Sequence, residues 1–106
     1  MRTDEYRRAI DRQQSEADFQ RQVITLAESL RWSCYHTHDS QRSNPGYPDL
    51  TLWRERIVYA ELKRENGKLS HAQMKVLDEL KTARGEVYVW RPSDWANIEE
   101  ILTCRK

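Results

Sequence analysis

Two strand-forming runs lie close together in the middle of the chain, and they constrain the fold more than any other feature. DLTLW covers 49–53 and IVYAELK covers 57–63, and only Arg54, Glu55 and Arg56 separate them. So short a connection suits antiparallel neighbours and is too short for a crossover to a parallel strand. We therefore expect a β-hairpin here, although its turn lacks the glycine or asparagine that tight hairpins usually carry.

The segments before the hairpin predict a helix, a strand and a loop. Ser15 is a candidate N-cap, and apolar side chains follow it at helical spacing, which predicts a helix over about 16–31. WSCYHT at 32–37 is a candidate strand, and the turn-rich residues 38–48 are expected to form a loop. The apolar stripe of the helix consists of Phe19, Val23, Leu26, Ala27 and Leu30.

The segments after the hairpin predict a second helix, a fourth strand and a final helix. Ser70 and Gln73 can form a reciprocal capping box, and an apolar stripe continues from them to Gly85. EVYVW at 86–90 resembles a strand, and Pro92 opens a short last helix. Because a crossover helix lies between two of the strands, at least one strand pair should be parallel. The predicted fold class is therefore α/β or α+β, with a mixed sheet flanked by helices.

Length and composition indicate one soluble globular domain. The chain has 106 residues, of which 38% are hydrophobic and 33% are charged, which is unlike a disordered segment. No apolar run approaches the roughly 20 residues of a membrane span, and the start lacks the apolar segment of a signal peptide. We expect a cytoplasmic protein with no membrane partner. Residues 1–14 form a polar, arginine-rich arm that is either helical or disordered, and the folded domain is expected over 15–106.

The hairpin also places charged groups where they can act together. Strand side chains alternate, so Tyr59, Glu61 and Lys63 share one face, and antiparallel pairing brings Asp49 beside them. Two carboxylates, with a backbone carbonyl and waters, are the oxygen ligands that Mg²⁺ or Mn²⁺ prefers. A lysine beside such an ion can orient or deprotonate an attacking water. This group of residues suits phosphodiester hydrolysis.

Each of these residues also has a purely structural interpretation. The ExK pattern recurs at 79–81 on a predicted helix, the dipeptide Pro48-Asp49 is common in turns, and charges on a strand can simply face water. Gln73 and Glu16 favour a site, because each lies on an otherwise apolar helix face where an unpaired polar group would be costly. Both can converge on the strand ends, and convergence of titratable groups is typical of functional sites.

The ordered motifs resemble a known nuclease family. The sequence resembles the PD-(D/E)xK nuclease superfamily, and specifically its VRR-NUC branch, in the succession Glu16, Gly46-Tyr47-Pro48-Asp49, Glu61-Leu62-Lys63 and Gln73. The tail VYVWRPSDW is similar to small stand-alone VRR-NUC proteins of phages and bacteria, which would place the chain in a bacterial or phage-infected cell. The resemblance covers about 15–102, and it implies a restriction-endonuclease-like αβββαβ core.

The resemblance also implies an activity and the residues that carry it. Asp49 and Glu61 would bind Mg²⁺ or Mn²⁺ with the backbone carbonyl of Leu62, and no small-molecule cofactor would be needed. Lys63 would position the nucleophilic water. The two helix residues would assist, Glu16 by holding a water on the metal and Gln73 by orienting the lysine or a phosphate.

The substrate implied by the resemblance is branched DNA, including four-way junctions. One active site cuts one strand, so symmetric cleavage of a junction would require a homodimer. Four residues around the site are candidate DNA contacts, namely Arg42, Ser43, Arg64 and Lys68. The net charge of +1 neither supports nor excludes DNA binding, which must depend on such local patches.

Other interpretations remain open from the sequence. The chain could be a non-catalytic DNA-binding or assembly module whose acidic pair holds a structural cation. A metal-free small-molecule enzyme is less well supported, since no Ser-His, Cys-His or nucleotide-loop arrangement appears. The pattern His36-Thr37-His38 with Asp39 lacks further zinc ligands, so structural or substrate-facing histidines are expected. Cys34 and Cys104 have no CxxC spacing, and free thiols are expected.

Overall fold

The computed structural model describes residues 3–38 and 45–105. No helix in these two ranges is long and apolar enough to cross a membrane. In chain order the elements are α1 (Thr3–Gln13), α2 (Glu16–Ser29), β1 (Ser33–His36), β2 (Leu50–Trp53), β3 (Ile57–Leu62), α3 (His71–Thr82), β4 (Glu86–Trp90) and α4 (Trp95–Thr103), the last entered through a 3₁₀ turn at Pro92–Asp94. The arm that the sequence left as helical or disordered forms α1.

The four strands form one mixed sheet in the order β1-β2-β3-β4. The predicted hairpin is confirmed, with β2 and β3 antiparallel and Leu50 opposite Ala60. β1 pairs antiparallel with β2, and β4 pairs parallel with β3, so that Glu61 lies opposite Val89. The parallel pair forms because α3 carries the chain back along the sheet before β4 begins. The predicted α+β class with a restriction-endonuclease-like mixed sheet is thus confirmed.

The core lies between one face of the sheet and the helices α2 and α4. The strand residues that alternate with Tyr59 and Glu61 point into this core, because successive side chains of a strand point to opposite faces of the sheet. α3 packs on the opposite face, since its Gln73 contacts Glu61 there and its Leu77 is buried. The buried core residues are Phe19, Val23 and Ala27 from α2, Trp32, Leu50, Leu52, Val58, Ala60, Leu62 and Trp90 from the sheet region, and Ile98 and Leu102 from α4.

The helix starts follow the capping signals in the sequence. The Ser15 hydroxyl accepts a hydrogen bond from the Asp18 N–H at 3.1 Å and begins α2. The Ser70 hydroxyl accepts from the Gln73 N–H at 3.1 Å, while the Gln73 side chain accepts from the Ser70 N–H at 2.9 Å. This reciprocal pair is the predicted capping box, and it satisfies two donors that would otherwise be unpaired at the start of α3.

Tertiary contacts stabilise the hairpin turn that the sequence left without a turn residue. The guanidinium groups of Arg54 and Arg56 lie over the Trp32 ring, at 4.6 and 5.0 Å from its centroid. Arg54 donates to the Leu30 carbonyl at 2.9 Å, after α2, and Arg56 donates to the Ile101 carbonyl at 2.7 Å, within α4. We call these two arginines and Trp32 the arginine clamp. It joins the hairpin to the C-terminal ends of two helices.

Replacing Arg56 by alanine is expected to lower the free energy of unfolding by about 2 kcal/mol. Two carbonyls at the end of α4 would lose their hydrogen-bond donor, and the ion pair with Glu86 at 2.9 Å would be lost. The side chain is only 12% exposed, so water replaces these bonds poorly. Urea denaturation measures the change. Arg21→Ala is the matched control, since that arginine is 73% exposed and its ion pair with Asp18 should contribute little. Equal stability of the two variants would contradict a stabilising role for the clamp.

Candidate active site

Three carboxylates meet at the end of the sheet where β3 stops. Asp49 directly precedes β2, Glu61 is the second-last residue of β3, and Glu16 is the first residue of α2. One carboxylate oxygen from each of the three residues lies within 4.8 Å of the corresponding oxygens of the other two. Asp49 is fixed by the Leu62 N–H, which donates to its Oδ2 at 2.8 Å. The hairpin register and the start of α2 therefore bring together the acidic residues singled out in the sequence.

Glu61 is the buried member of this group. Its side chain is 1% exposed, whereas Glu16 remains exposed. Its Oε2 accepts from the Gln73 amide at 3.0 Å and lies 3.7 Å from the Lys63 ammonium. Its Oε1 is buried and has no hydrogen-bond donor within residues 3–38 and 45–105. A buried carboxylate oxygen without a donor is costly, and a cation bound between the three carboxylates would remove that cost.

The residues present fit a hard divalent cation. The donor set consists of oxygen atoms from three carboxylates, which is the ligand type that Mg²⁺ and Mn²⁺ select. Gln73 holds the buried carboxylate in place, since its Oε1 accepts from Ser70 while its Nε2 donates to Glu61. The capping box therefore also fixes the side chain that reaches Glu61, while the expected role of Gln73 in orienting the lysine or a phosphate stays a prediction.

Gly46 lets the loop before Asp49 lie directly on α3. Its φ is +88°, a conformation that disfavours residues with a Cβ. A Cβ built at Gly46 would lie 2.2 Å from the Ala72 carbonyl oxygen and 2.9 Å from the Gln73 backbone nitrogen. The glycine of the GxPD motif is thus required by a backbone-to-backbone contact, which couples the position of Asp49 to that of Gln73. Sequence reasoning used this glycine only as part of a motif.

The environment of Glu61 favours its protonated form in the absence of a cation. Burial, together with the neighbouring Asp49 carboxylate, raises the pKa of Glu61 from 4.5 to about 8, although the Lys63 ammonium opposes the shift. A divalent cation would reverse this balance, because it stabilises the ionised carboxylates. The site is therefore electrostatically strained without a cation.

We expect the stability of the protein in EDTA to fall as pH rises from 4.5 to about 8. In this range the folded state holds a proton on Glu61 that the unfolded state has released, so the folded state binds more protons and raising the pH favours unfolding. The free energy of unfolding should drop by about 2–4 kcal/mol. Mg²⁺ should remove most of this drop. Urea titrations between pH 5 and 8 measure it, and a rise with pH in EDTA would contradict the assignment.

The chain matches a nuclease family over most of its length. The sequence model of the VRR-NUC domain matches residues 6–94, which include all three carboxylates, Lys63 and Gln73. The chain belongs to the VRR-NUC family. This family is part of the PD-(D/E)xK nuclease superfamily, and its domain indicates a nuclease that acts on DNA. No curated protein sequence and no solved structure matches the chain.

The structure places two of the four candidate DNA contacts of this VRR-NUC chain. Arg64 and Lys68 are exposed in the loop that follows Lys63. The Gly67 N–H donates to the Arg64 carbonyl at 2.9 Å, so the loop turns back on itself directly after the site. Arg42 and Ser43 lie outside the described residues, as does Asp39. The Leu62 carbonyl remains a predicted ligand.

The histidines and cysteines of the VRR-NUC chain do not join the acidic group. Within the described ranges, the one set of three or more possible metal ligands consists of Glu16, Asp49 and Glu61. Cys34 and Cys104 are unpaired, as expected. His36 instead contacts Gln20, whose Nε2 lies 2.9 Å from the His36 Nε2. Sequence reasoning missed Gln20, although its position one helical turn after Glu16 is a signal that could have found it.

Proposed function

We propose that this VRR-NUC chain is a Mg²⁺- or Mn²⁺-dependent endonuclease that hydrolyses phosphodiester bonds in branched DNA such as four-way junctions. The observation that carries the proposal is the buried Glu61 carboxylate. One of its oxygens has no donor among residues 3–38 and 45–105, two further carboxylates lie nearby, and an ammonium group lies 3.7 Å away. A purely structural cation site has no need for the lysine. Hydrolysis needs both the cation and a group that handles water and phosphate charge.

Asp49 and Glu61 would hold the ion, with the Leu62 carbonyl as the backbone ligand and Glu16 on the exposed side. When bound, the ion polarises the phosphate and makes a water molecule easier to deprotonate. The chain supplies the geometry, because Asp49 is fixed by the Leu62 N–H and Glu61 is fixed by Gln73. Gln73 thus acts as a positioning residue for Glu61.

Lys63 would position the nucleophilic water and stabilise the charge that develops on the phosphate oxygens. Its side chain is 14% exposed and lies beside Glu61, so it is held near the ion rather than extended into solvent. A fixed ammonium group in a partly dry site stabilises a developing anion more strongly than the same group in water. Lys63 is therefore proposed as the catalytic residue that is not a metal ligand.

DNA would be bound by phosphate contacts around the site. Arg64 and Lys68 follow Lys63 along the chain and are exposed, so they can approach neighbouring phosphates. Arg42 and Ser43 are proposed to contribute from the loop before the site. The part of the chain that the structure describes carries one such site, and we propose a homodimer so that two strands of a junction are cut symmetrically.

A panel of labelled DNA substrates tests this function. Four-way junction, flap, single-stranded and plain duplex DNA are incubated with the protein in Mg²⁺, Mn²⁺ or EDTA. The proposal predicts cuts that require the divalent ion and that are fastest on branched substrates, with paired symmetric nicks in the junction. Salt-sensitive junction binding with no product in any ion would instead indicate a non-catalytic DNA-binding module.

A further inference from the structure

A second group of polar side chains lies beside the three carboxylates, on the side of α2 and β1. Gln20 follows Glu16 by one helical turn, and its Nε2 lies 2.9 Å from the Nε2 of His36. His36 is the last residue of β1 and lies opposite Leu50, the residue after Asp49. The group is therefore adjacent to the three carboxylates, but neither Gln20 nor His36 belongs to the set of possible metal ligands.

The segment after His36 is fastened to the loop that carries Asp49. The Thr37 N–H donates to the Asp49 carbonyl at 2.9 Å, and the Thr37 hydroxyl donates to the Pro48 carbonyl at 2.9 Å. The exposed His38 ring packs on the His36 ring, with centroids 4.4 Å apart. Two imidazoles are thus held together at the rim of the carboxylate site, and one of them faces solvent.

The hydrogen bond to Gln20 determines what His36 can offer. An amide nitrogen only donates, so the His36 Nε2 accepts, and the proton of the neutral ring is on Nδ1. His36 thus keeps one N–H donor, and the exposed His38 supplies a further one. Side-chain donors at the edge of a site for phosphodiester chemistry suit phosphate oxygens, which receive most protein–DNA hydrogen bonds.

The position of the histidines complements that of the residues already assigned. Lys63 and Gln73 contact Glu61 on the face of the sheet covered by α3, whereas Gln20 of α2 and His36 of β1 contact each other beside the strand that follows Asp49. A DNA strand that crosses the cation site would therefore meet hydrogen-bond donors on both sides of the phosphate that is cut.

We propose that the paired imidazoles of His36 and His38 bind a DNA phosphate next to the one that is cut, and that Gln20 positions His36 for this contact. The proposal rests on the proposed function, since it assigns a substrate contact at the same site. It gives the His-Thr-His pattern of the sequence a role that is neither zinc binding nor core packing.

The first test measures the dissociation constant of a labelled four-way junction in EDTA, together with kcat and KM for cleavage in Mg²⁺. His38→Ala should weaken binding and raise KM about fivefold to tenfold, with kcat within about twofold of wild type, as expected for one lost phosphate hydrogen bond. Tyr35→Ala is the matched control, because Tyr35 is an exposed ring (57%) on β1 whose side chain points away from that of its neighbour His36. An unchanged dissociation constant for His38→Ala would overturn the proposal.

The second test identifies the phosphate by replacing single phosphates with neutral methylphosphonates. In the wild-type protein, a methylphosphonate at one position next to the cut should weaken DNA binding. In His38→Ala, which has already lost the contact, the same replacement should weaken binding little further. Gln20→Ala should reduce the sensitivity at that position too, whereas Tyr35→Ala should leave it intact. If these residues only stabilise the fold, the variants would melt at a lower temperature and keep the wild-type sensitivity to each methylphosphonate. The contact would be refuted if the effects of the protein variant and of the methylphosphonate on binding were fully additive at every position.

These measurements separate the inference from the proposed function. If the wild-type protein cuts no DNA but His38→Ala still weakens junction binding at one phosphate, the nuclease proposal fails and the phosphate contact stands. If the wild-type protein cuts DNA and His38→Ala binds and cuts as wild type does, the nuclease proposal stands and the contact is refuted.

Discussion

Glu61→Gln is expected to slow DNA cleavage by about 10²–10³-fold or more and, in EDTA at pH 8, to make the protein more stable than wild type. Both effects follow from one property, because the carboxylate is 1% exposed and Lys63 offsets only part of the cost of burying its charge. The amide keeps the shape and still offers an oxygen to Gln73, but it has no charge to desolvate. Function and metal-free stability should therefore change in opposite directions.

Three measurements test these effects: the rate of single-turnover cleavage in Mg²⁺, the affinity for Mn²⁺ from a titration of the protein, and the melting temperature in EDTA. Glu79→Gln is the matched control, since Glu79 belongs to the second ExK pattern but is exposed on α3. The Glu79→Gln variant should cleave DNA at the wild-type rate and melt at the wild-type temperature. Wild-type cleavage by Glu61→Gln would show that the buried carboxylate does not hold the ion. A lower melting temperature than wild type in EDTA at pH 8 would show that its charge does not destabilise the metal-free protein.

Gly46→Ala is expected to lower the free energy of unfolding by about 2–4 kcal/mol and to slow cleavage by about 10²-fold. The added methyl group would lie 2.2 Å from the Ala72 carbonyl oxygen, a backbone atom that cannot rotate away. Either the loop before Asp49 or the first turn of α3 must move. Since the first carries a proposed ligand and the second carries Gln73, either movement disturbs the site.

Urea denaturation and cleavage rates measure the effect of Gly46→Ala, and Gly67→Ala is its control. A Cβ at Gly67 would come no closer than 3.3 Å to Arg64, so a small adjustment accommodates it and the loss should be below about 1 kcal/mol. The contact with α3 would be refuted if the two variants were equally stable and equally active.

The sequence predicted those parts of the fold that depend on local patterns. The period-2 alternation around Glu61 gave the buried and charged faces of β3, and the signals at Ser15 and Ser70 gave the starts of α2 and α3. The same facing argument brought Glu16 and Gln73 to the strand ends. Their agreement with the structure follows because strand and helix periodicity fix side-chain direction before any tertiary contact forms.

Features that depend on contacts distant in sequence could not be predicted. Arg54 and Arg56 read as a polar turn, because their partners on Trp32 and at the ends of α2 and α4 lie far away in the chain. The Gln20–His36 contact joins a helix to a strand end that no local pattern connects. The close approach of Gly46 to α3 likewise requires the assembled fold.

The most direct test of metal-dependent catalysis at this site compares Lys63→Ala with Lys81→Ala on a labelled four-way junction. Lys81 is the exposed lysine of the second ExK pattern on α3, so it is a matched control. Our account predicts that wild type and Lys81→Ala cut the junction in Mg²⁺ and not in EDTA, whereas Lys63→Ala binds Mn²⁺ and the junction but does not cut. Wild-type cleavage by Lys63→Ala, or cleavage that persists in EDTA, would contradict it.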